Sequence, residues 1–292
     1  MSTSILVTGA SGNIGAQLLS ALREKGLEAT AMTSRPDHTI PGYRTIYGDL
    51  GNQESLREAF RGFETIFLLQ PLMPQMVEYG LNAVAAAKAA GVGNIVRSSG
   101  AGADSNSPFS IAKAHGLVDD AVRSSGMKWT LLRPTSFMQN YIQYNADQIR
   151  NGTLYAPHGT GATSLIDVRD IAECAAVILA NPAAHQGKSY DLTGGEALTD
   201  VEQMAILSAG IGRAVHYVDI PAESASDAMA AMGMSAVVID WLMSLNAIIR
   251  VGYAAGISED VLRLTGHAPR TFAAFVKDYA QIWSAACPSR EP

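Results

Sequence analysis

Three glycines spaced three residues apart, Gly9, Gly12 and Gly15, stand between an apolar run, Ile5–Thr8, and a stretch of helical periodicity, Ile14–Lys25. The loop reads Gly9-Ala10-Ser11-Gly12-Asn13-Ile14-Gly15. This G-x-x-G-x-x-G spacing is one residue looser than the G-x-G-x-x-G dinucleotide fingerprint, and the physical needs are the same. Gly9 allows a tight turn, Gly12 lets the backbone approach a pyrophosphate, and Gly15 lets the helix pack closely on the strand. Ser11, Asn13 and Ile14 lie where the first N–H groups of the helix and its dipole favour an anion. The strand–turn–helix context turns a weak glycine pattern into a specific one, and a bound dinucleotide is the expectation.

The position that contacts the adenosine ribose lies about twenty residues further on, at the end of the second strand. Here it reads Thr33-Ser34-Arg35-Pro36. No acid stands there to accept the 2′-hydroxyl. Arg35 and the Ser34 hydroxyl suit a 2′-phosphate instead, so NADPH is expected in preference to NADH. The competing reading of Arg35 is a solvated loop arginine. After the third strand comes Gly48-Asp49-Leu50. Asp49 either accepts from the adenine amino group or caps the helix that begins near Gln53.

The elements that must position these residues alternate. Ile5–Thr8, Glu28–Thr33, Tyr43–Tyr47, Thr65–Leu69, Asn94–Ser98 and Thr130–Arg133 read as short buried strands, apolar on both faces as parallel strands are. Ile14–Lys25, Gln53–Phe60, Met73–Ala90 and Ser110–Ser125 read as helices between them. Such alternation predicts an α/β fold, a Rossmann-type doubly wound parallel sheet. After Pro182 the rhythm changes. Lys188–Leu192 and Val215–Val218 read as strands, and Asp200–Ala209, Ala222–Met232, Ser235–Arg250, Ser258–Leu264 and Thr271–Ala286 as helices. The expectation is a dinucleotide-binding domain at 1–185 and a smaller helix-rich C-terminal substrate lobe at 186–292, with contributions from about 134–165.

Bulk composition narrows the class. The chain has 292 residues, 27 acids and 21 bases, net charge −6, without a basic block, which argues against nucleic-acid binding. No run approaches the ~20 apolar residues of a membrane span. Two cysteines, Cys174 and Cys287, fit a reducing compartment, and the N-terminus lacks a signal-type core, so a cytoplasmic protein is expected. No His/Cys/Asp/Glu cluster has metal spacing, so no metal is expected. A monomer or a homodimer is expected.

The chain resembles the NmrA-like atypical short-chain dehydrogenase/reductases, in the branch that reduces quinones and triphenylmethane dyes. The resemblance rests on VTGASGNIG, GDL at Gly48–Leu50, SSGAGAD at Ser98–Asp104, LLRPTSFMQN at Leu131–Asn140 and IDVRDIAECA at Ile166–Ala175. Further along, YDLTGGEALT, GRAVHYVDIP and ISEDVLRLTGHAPRTFAAFV belong to the same pattern. It implies a nicotinamide bordered by Leu69-Gln70-Pro71, Ser99-Gly100 and Pro134-Thr135-Ser136-Phe137. It also implies that Lys113 is the catalytic lysine, bonded to the nicotinamide ribose and adding positive charge.

The wider superfamily pattern is Tyr-x-x-x-Lys, whereas this window reads Phe109-Ser110-Ile111-Ala112-Lys113. Phenylalanine cannot donate a proton, and Lys113 could replace it only if burial favoured its neutral form. Ser99, Tyr141, Tyr144 and His115 are other conceivable donors, each with a stronger structural reading. Quinones, dyes, imines and activated alkenes need alignment more than an enzymic acid. The expectation is therefore an NADPH-dependent oxidoreductase acting on an electron-poor organic acceptor. The alternative is a non-catalytic redox sensor of NmrA type, and Lys113 tilts the balance toward the enzyme. Phe109, Met138, Tyr141, Tyr144, Met232 and Trp241 are candidates for the substrate pocket, since methionine and aromatic side chains adapt to flat apolar ligands. Ordinary helix-packing core is the competing reading of each.

Overall fold

The computed structural model describes residues 4–284. Cys287 and the last residues of the expected C-terminal helix lie outside them. In chain order the elements begin β1 (Ile5–Val7), α1 (Asn13–Glu24), β2 (Ala29–Thr33), β3 (Arg44–Tyr47), α2 (Gln53–Phe60), β4 (Thr65–Leu68), α3 (Met76–Ala89), β5 (Asn94–Ser98), α4 (Ser110–Ser124) and β6 (Lys128–Pro134). Then come α5 (Asn140–Gln143), α6 (Ala146–Arg150), β7 (Thr153–Ala156), β8 (Ala162–Thr163), α7 (Val168–Ala180), β9 (Lys188–Leu192) and β10 (Leu198–Thr199). The chain continues through α8 (Asp200–Ile211), β11 (His216–Asp219), α9 (Ala222–Ala231), α10 (Ala236–Arg250), α11 (Asp260–Thr265) and α12 (Phe272–Ser284).

Two compact units result. The first takes the chain to Pro134, then Val168–Leu192 and Asp260–Gly266. The second takes Thr135–Asp167, Thr193–Glu259 and the chain from His267 on. In the first unit seven strands form one sheet in the order β3-β2-β1-β4-β5-β6-β9, every pair parallel. β1, β4 and β5 are buried along their whole length, because helices cover both faces. Leu56 and Phe60 of α2, Ala83 and Ala87 of α3 and Val122 of α4 pack with Leu6, Ile66, Ile95 and Leu131 of the strands. Cys174 is buried in α7, and burial pushes its thiol up from the ordinary range.

The strand order reverses at β1. From there the chain winds outward through β2 and β3, then returns to β4 on the other side of β1. The reversal opens a crevice beyond the carboxyl ends of β1 and β4, where open α/β sheets bind ligands. The double winding is as expected, and the single boundary at 185/186 is corrected. Lys188–Leu192, expected in the C-terminal lobe, is the seventh strand of the main sheet, and α11 also belongs to the first unit. As an edge strand β9 is exposed at Lys188, Ser189 and Asp191, so it lacks the doubly apolar look of its neighbours.

The second unit holds two small ladders, β7 with β11 in parallel and β8 with β10 antiparallel. Its core gathers Met138, Tyr141, Ile149, Leu154, Leu207, Phe272, Phe275 and Trp283. No helix among the described residues is long and apolar enough to cross a membrane.

Candidate functional site

β1 ends in a loop only glycine can form. Gly9 has φ +60°, and a β-carbon there would lie 3.0 Å from Leu69 Cδ2. Gly12 donates from its backbone to the Gly9 carbonyl at 3.0 Å and stands as the extended N-cap of α1. A β-carbon on Gly15 would meet that same carbonyl oxygen at 2.2 Å. Helix and loop therefore touch backbone to backbone, leaving the N-terminus of α1 at the mouth of the crevice. The first turn of α1 carries no acidic side chain and the N-cap no side-chain oxygen, so an external anion meets no internal competitor. Thr8 fixes the crevice on its other side. Its hydroxyl donates to the Leu69 carbonyl at 3.0 Å and accepts the Leu69 N–H at 2.8 Å.

Ser34 and Arg35 follow β2 and are exposed. The backbone N–H of Arg35 is held by Thr33 Oγ1 at 3.2 Å, whereas its guanidinium makes no hydrogen bond or ion pair among the described residues. Asp49 accepts from Gly51 N at 2.9 Å. The cap of α2 is Asn52, whose Oδ1 takes the N–H groups of Glu54 and Ser55. Of the two sequence readings of Asp49, the helix cap is thus removed. Leu50 is buried in the core of the unit, which leaves its backbone as the part that can face a ligand.

Beyond β4 and β5 two polar atoms are buried without a hydrogen-bond partner among the described residues, Gln70 Nε2 and Ser99 Oγ. A buried polar atom left unpaired costs about 1–3 kcal/mol. Two such atoms at the carboxyl ends of neighbouring strands mark a place built for a polar ligand. Gly80 makes room for one of them, since a β-carbon there would stand 2.3 Å from Gln70 Nε2. Pro71 is exposed beside Gln70, and Gly100 follows Ser99 as the chain turns away from the sheet. The backbone N–H of Ser99 bonds to the Leu132 carbonyl at 2.7 Å, and that of Ala101 to the Pro134 carbonyl at 2.9 Å. The cradle of glycines, the exposed arginine and the orphaned polar atoms fit a phosphorylated dinucleotide.

Phe109 is the N-cap of α4, and its carbonyl accepts the Lys113 N–H at 2.9 Å. Lys113 is solvent-exposed, so the burial that a proton-donating role would require is absent. Sequence reasoning passed over what lies beneath. Arg97 of β5 is fully buried and pairs with the equally buried Asp119 of α4. Burial lowers the Arg97 pKa to about 10 against the pull of Asp119. Arg133 of β6 bonds to the second oxygen of Asp119 and to the Ala103 carbonyl, both at 3.1 Å. The signal was available: a charged residue inside an otherwise apolar strand must find a buried partner.

In the second unit Thr135 donates to the Ser164 carbonyl at 2.5 Å, and Ser136 and Met138 bracket a bridge between Phe137 and Ile166. Met138 and Tyr141 belong to the core of this unit. The Tyr141 hydroxyl is committed to Gln203 Oε1, its ring meets Phe272 edge-on at 5.2 Å, and its carbonyl accepts from Trp283 Nε1 at 3.0 Å. Trp241 is also buried, while Tyr144 and Met232 are 74% and 68% exposed. The proposed pocket residues are therefore divided between core and surface. A further polar node, not found from sequence, centres on His158. Its Nδ1 meets Asp200 at 2.9 Å and its Nε2 meets Asn246 Oδ1 at 3.0 Å.

A family model for the NmrA-like family matches residues 1–251. The NAD(P)H azoreductase of Xenophilus azovorans is 38% identical over 97% of this chain and 100% of its own length. A (4-alkanoyl-5-oxo-2,5-dihydrofuran-3-yl)methyl phosphate reductase of Streptomyces griseus is 31% identical over 96% of this chain and 99% of its own length. Among solved structures, the NADPH-dependent quinone oxidoreductase QOR2 of Escherichia coli, complexed with NADPH, superposes with a TM-score of 0.84 at 26% identity. It covers 94% of this chain and 99% of that one.

Proposed function

The chain belongs to the NmrA-like family, and from that premise we propose that it is an NADPH-dependent reductase of electron-poor organic acceptors, quinones and azo dyes foremost. The observation that carries this reading is the pair of orphaned polar atoms, Gln70 Nε2 and Ser99 Oγ, beyond the strand ends beside the glycine loop. When bound, NADPH supplies the hydride. The N–H groups opening α1 hold its pyrophosphate, and Arg35 and Ser34 take the 2′-phosphate that distinguishes it from NADH. Gln70 and Ser99 engage the nicotinamide end, and Lys113 places positive charge at the adjoining ribose. Tyr144 and Met232, exposed in the second unit, offer adaptable apolar surface to a flat acceptor. Met138 and Tyr141 serve the core.

Phe109 shapes the choice of acceptor. With no acid at that position, a plain ketone would have to develop alkoxide charge without a proton from that residue to neutralise it. A quinone delocalises the charge and takes its proton from water afterwards. The test is NADPH oxidation by the purified protein against a naphthoquinone, an azo dye and an aliphatic ketone, with NADH in parallel. Turnover of the first two with NADPH preferred is the expected result. Tight NADPH binding with no turnover of either would overturn the enzyme reading in favour of a sensor.

A further inference from the structure

Arg97 is an expensive residue to bury. Its side chain has no exposed surface, and its Nε finds no hydrogen-bond partner among the described residues. Apolar residues in place of such a pair are often no less stable, so a specific role for the guanidinium is worth seeking. One role is visible. Arg97 Nη2 lies 3.3 Å from His115 Nδ1, and Nη1 lies 3.3 Å from the His115 carbonyl. A guanidinium has only donors, so Nδ1 must supply a lone pair and the ring proton must sit on Nε2. Asp119 holds Arg97 in that pose and is itself braced by Arg133.

The opposite edge of the imidazole faces the ligand loop. A β-carbon on Gly100 would stand 3.0 Å from His115 Cδ2 and 3.2 Å from Nε2. Gly100 directly follows Ser99, whose buried hydroxyl has no partner. His115 Nε2 likewise makes no hydrogen bond among the described residues, and the residue is half-buried.

We propose that His115 is a hydrogen-bond donor of the site, offering Nε2–H beside Ser99-Gly100 to an oxygen or nitrogen of the bound ligands, and that Arg97 is the positioning residue that fixes this tautomer. Burial, with Arg97 adding to it, pushes the imidazole pKa down to about 3. The ring is therefore neutral throughout the physiological range. It steadies negative charge as hydride arrives and does not give up its proton, which the product takes from water. Arg97 on β5 is the charged group that opposes an imidazolium here, and it is itself held among Asp119 and Arg123 on α4 and Arg133 on β6. The acceptor atom can belong to the cofactor or to the organic substrate. The substrate source rests on the reductase reading, and the tautomer does not.

The experiment is long-range proton–nitrogen NMR on protein with 15N-labelled histidine, the His115 signals being assigned by their loss in His115→Gln. The expected pattern is a neutral Nε2–H ring that does not titrate between about pH 5 and pH 8. In Arg97→Met the ring should lose that fixed tautomer. An Nδ1–H ring, or an imidazolium titrating near neutrality, overturns the proposal. In parallel, folded His115→Leu should lose roughly 2- to 13-fold, the range for one neutral hydrogen bond, and His115→Gln should recover most of it. A loss in NADPH affinity identifies the cofactor as partner. A loss in kcat/KM for a naphthoquinone at unchanged NADPH affinity identifies the substrate. No loss in either overturns the assignment. If the wild-type protein turns nothing over, the reductase reading fails, while the tautomer and the NADPH titration still decide the role of His115.

Discussion

The Gly9 carbonyl oxygen lies 2.2 Å from where a β-carbon of Gly15 would stand, so the glycine loop and the helix it opens are in backbone contact. Gly12 is less confined, with 3.3 Å to the same oxygen. The two positions should separate stability from binding. Gly15→Ala forces helix and loop apart and should cost about 1–3 kcal/mol in urea unfolding, as overpacking does. Gly12→Ala should unfold almost as the parent does, while its methyl group obstructs the approach of a pyrophosphate and weakens NADPH in a fluorescence titration. Equal effects of the two substitutions on both readouts would refute the assigned roles.

The role proposed for Arg35 rests on one phosphate, the 2′-phosphate that separates NADPH from NADH. Arg35→Ala should weaken NADPH by about 1.5–3 kcal/mol, the range for a hydrogen bond to a charged group, and leave NADH nearly unchanged. Calorimetric titration with both dinucleotides decides it, since an equal loss for each would make Arg35 a solvated loop residue.

The buried pair predicts an asymmetry. Asp119→Ala leaves Arg97 enclosed without its counter-charge, and unfolding in urea should show a loss of about 3–5 kcal/mol. Replacing both partners, Arg97→Met with Asp119→Leu, should recover much of that stability. If the double variant were as unstable as the single one, packing rather than charge would govern the site.

His158 gives stability a pH dependence. Burial opposes its charge, but the bonds to Asp200 and Asn246 outweigh burial and raise its pKa above 6.5. Asp219 and Arg250, paired with each other, and Tyr217, which bonds to His158 N, complete the surroundings. A raised folded pKa means that the contribution is complete below about pH 6.5 and fades as pH rises through the folded value. The difference in urea midpoint between the parent and His158→Gln should therefore be largest near pH 6 and shrink toward pH 9. A difference that grew with pH would reverse the sign assigned to this node.

What could be read from sequence was local or repeated. Gly9 to Gly15 and Ser34-Arg35 each lie in one short segment, and β1, β4 and β5 announce themselves by being apolar on both faces. Edge strand β9 is half polar and was grouped with the wrong unit. β7 went unseen because its partner, β11, is some sixty residues away and neither strand is apolar throughout. Asp49 left two readings open in the sequence, and the structure puts the cap of α2 at Asn52, three residues on. Arg97, His115 and Asp119 join a strand to a helix face, and only the three-dimensional packing brings them together. Phe109 was legible as a missing hydroxyl, but the sequence could not show that Lys113 beside it is open to water.

The chain passes between its two units at Pro134/Thr135, Asp167/Val168, Leu192/Thr193, Glu259/Asp260 and Gly266/His267. Neither unit is a continuous piece of polypeptide, so no single cut yields either one whole. A truncation near residue 185 removes an edge strand from the sheet along with the C-terminal region, and a gene fusion that transplants only the N-terminal half leaves β6 paired with β5 alone, as a new edge. Recombination between relatives meets the same constraint. A crossover within the first unit's later segments exchanges parts of both units at once, so new acceptor preferences are more accessible to point substitutions than to exchange of modules.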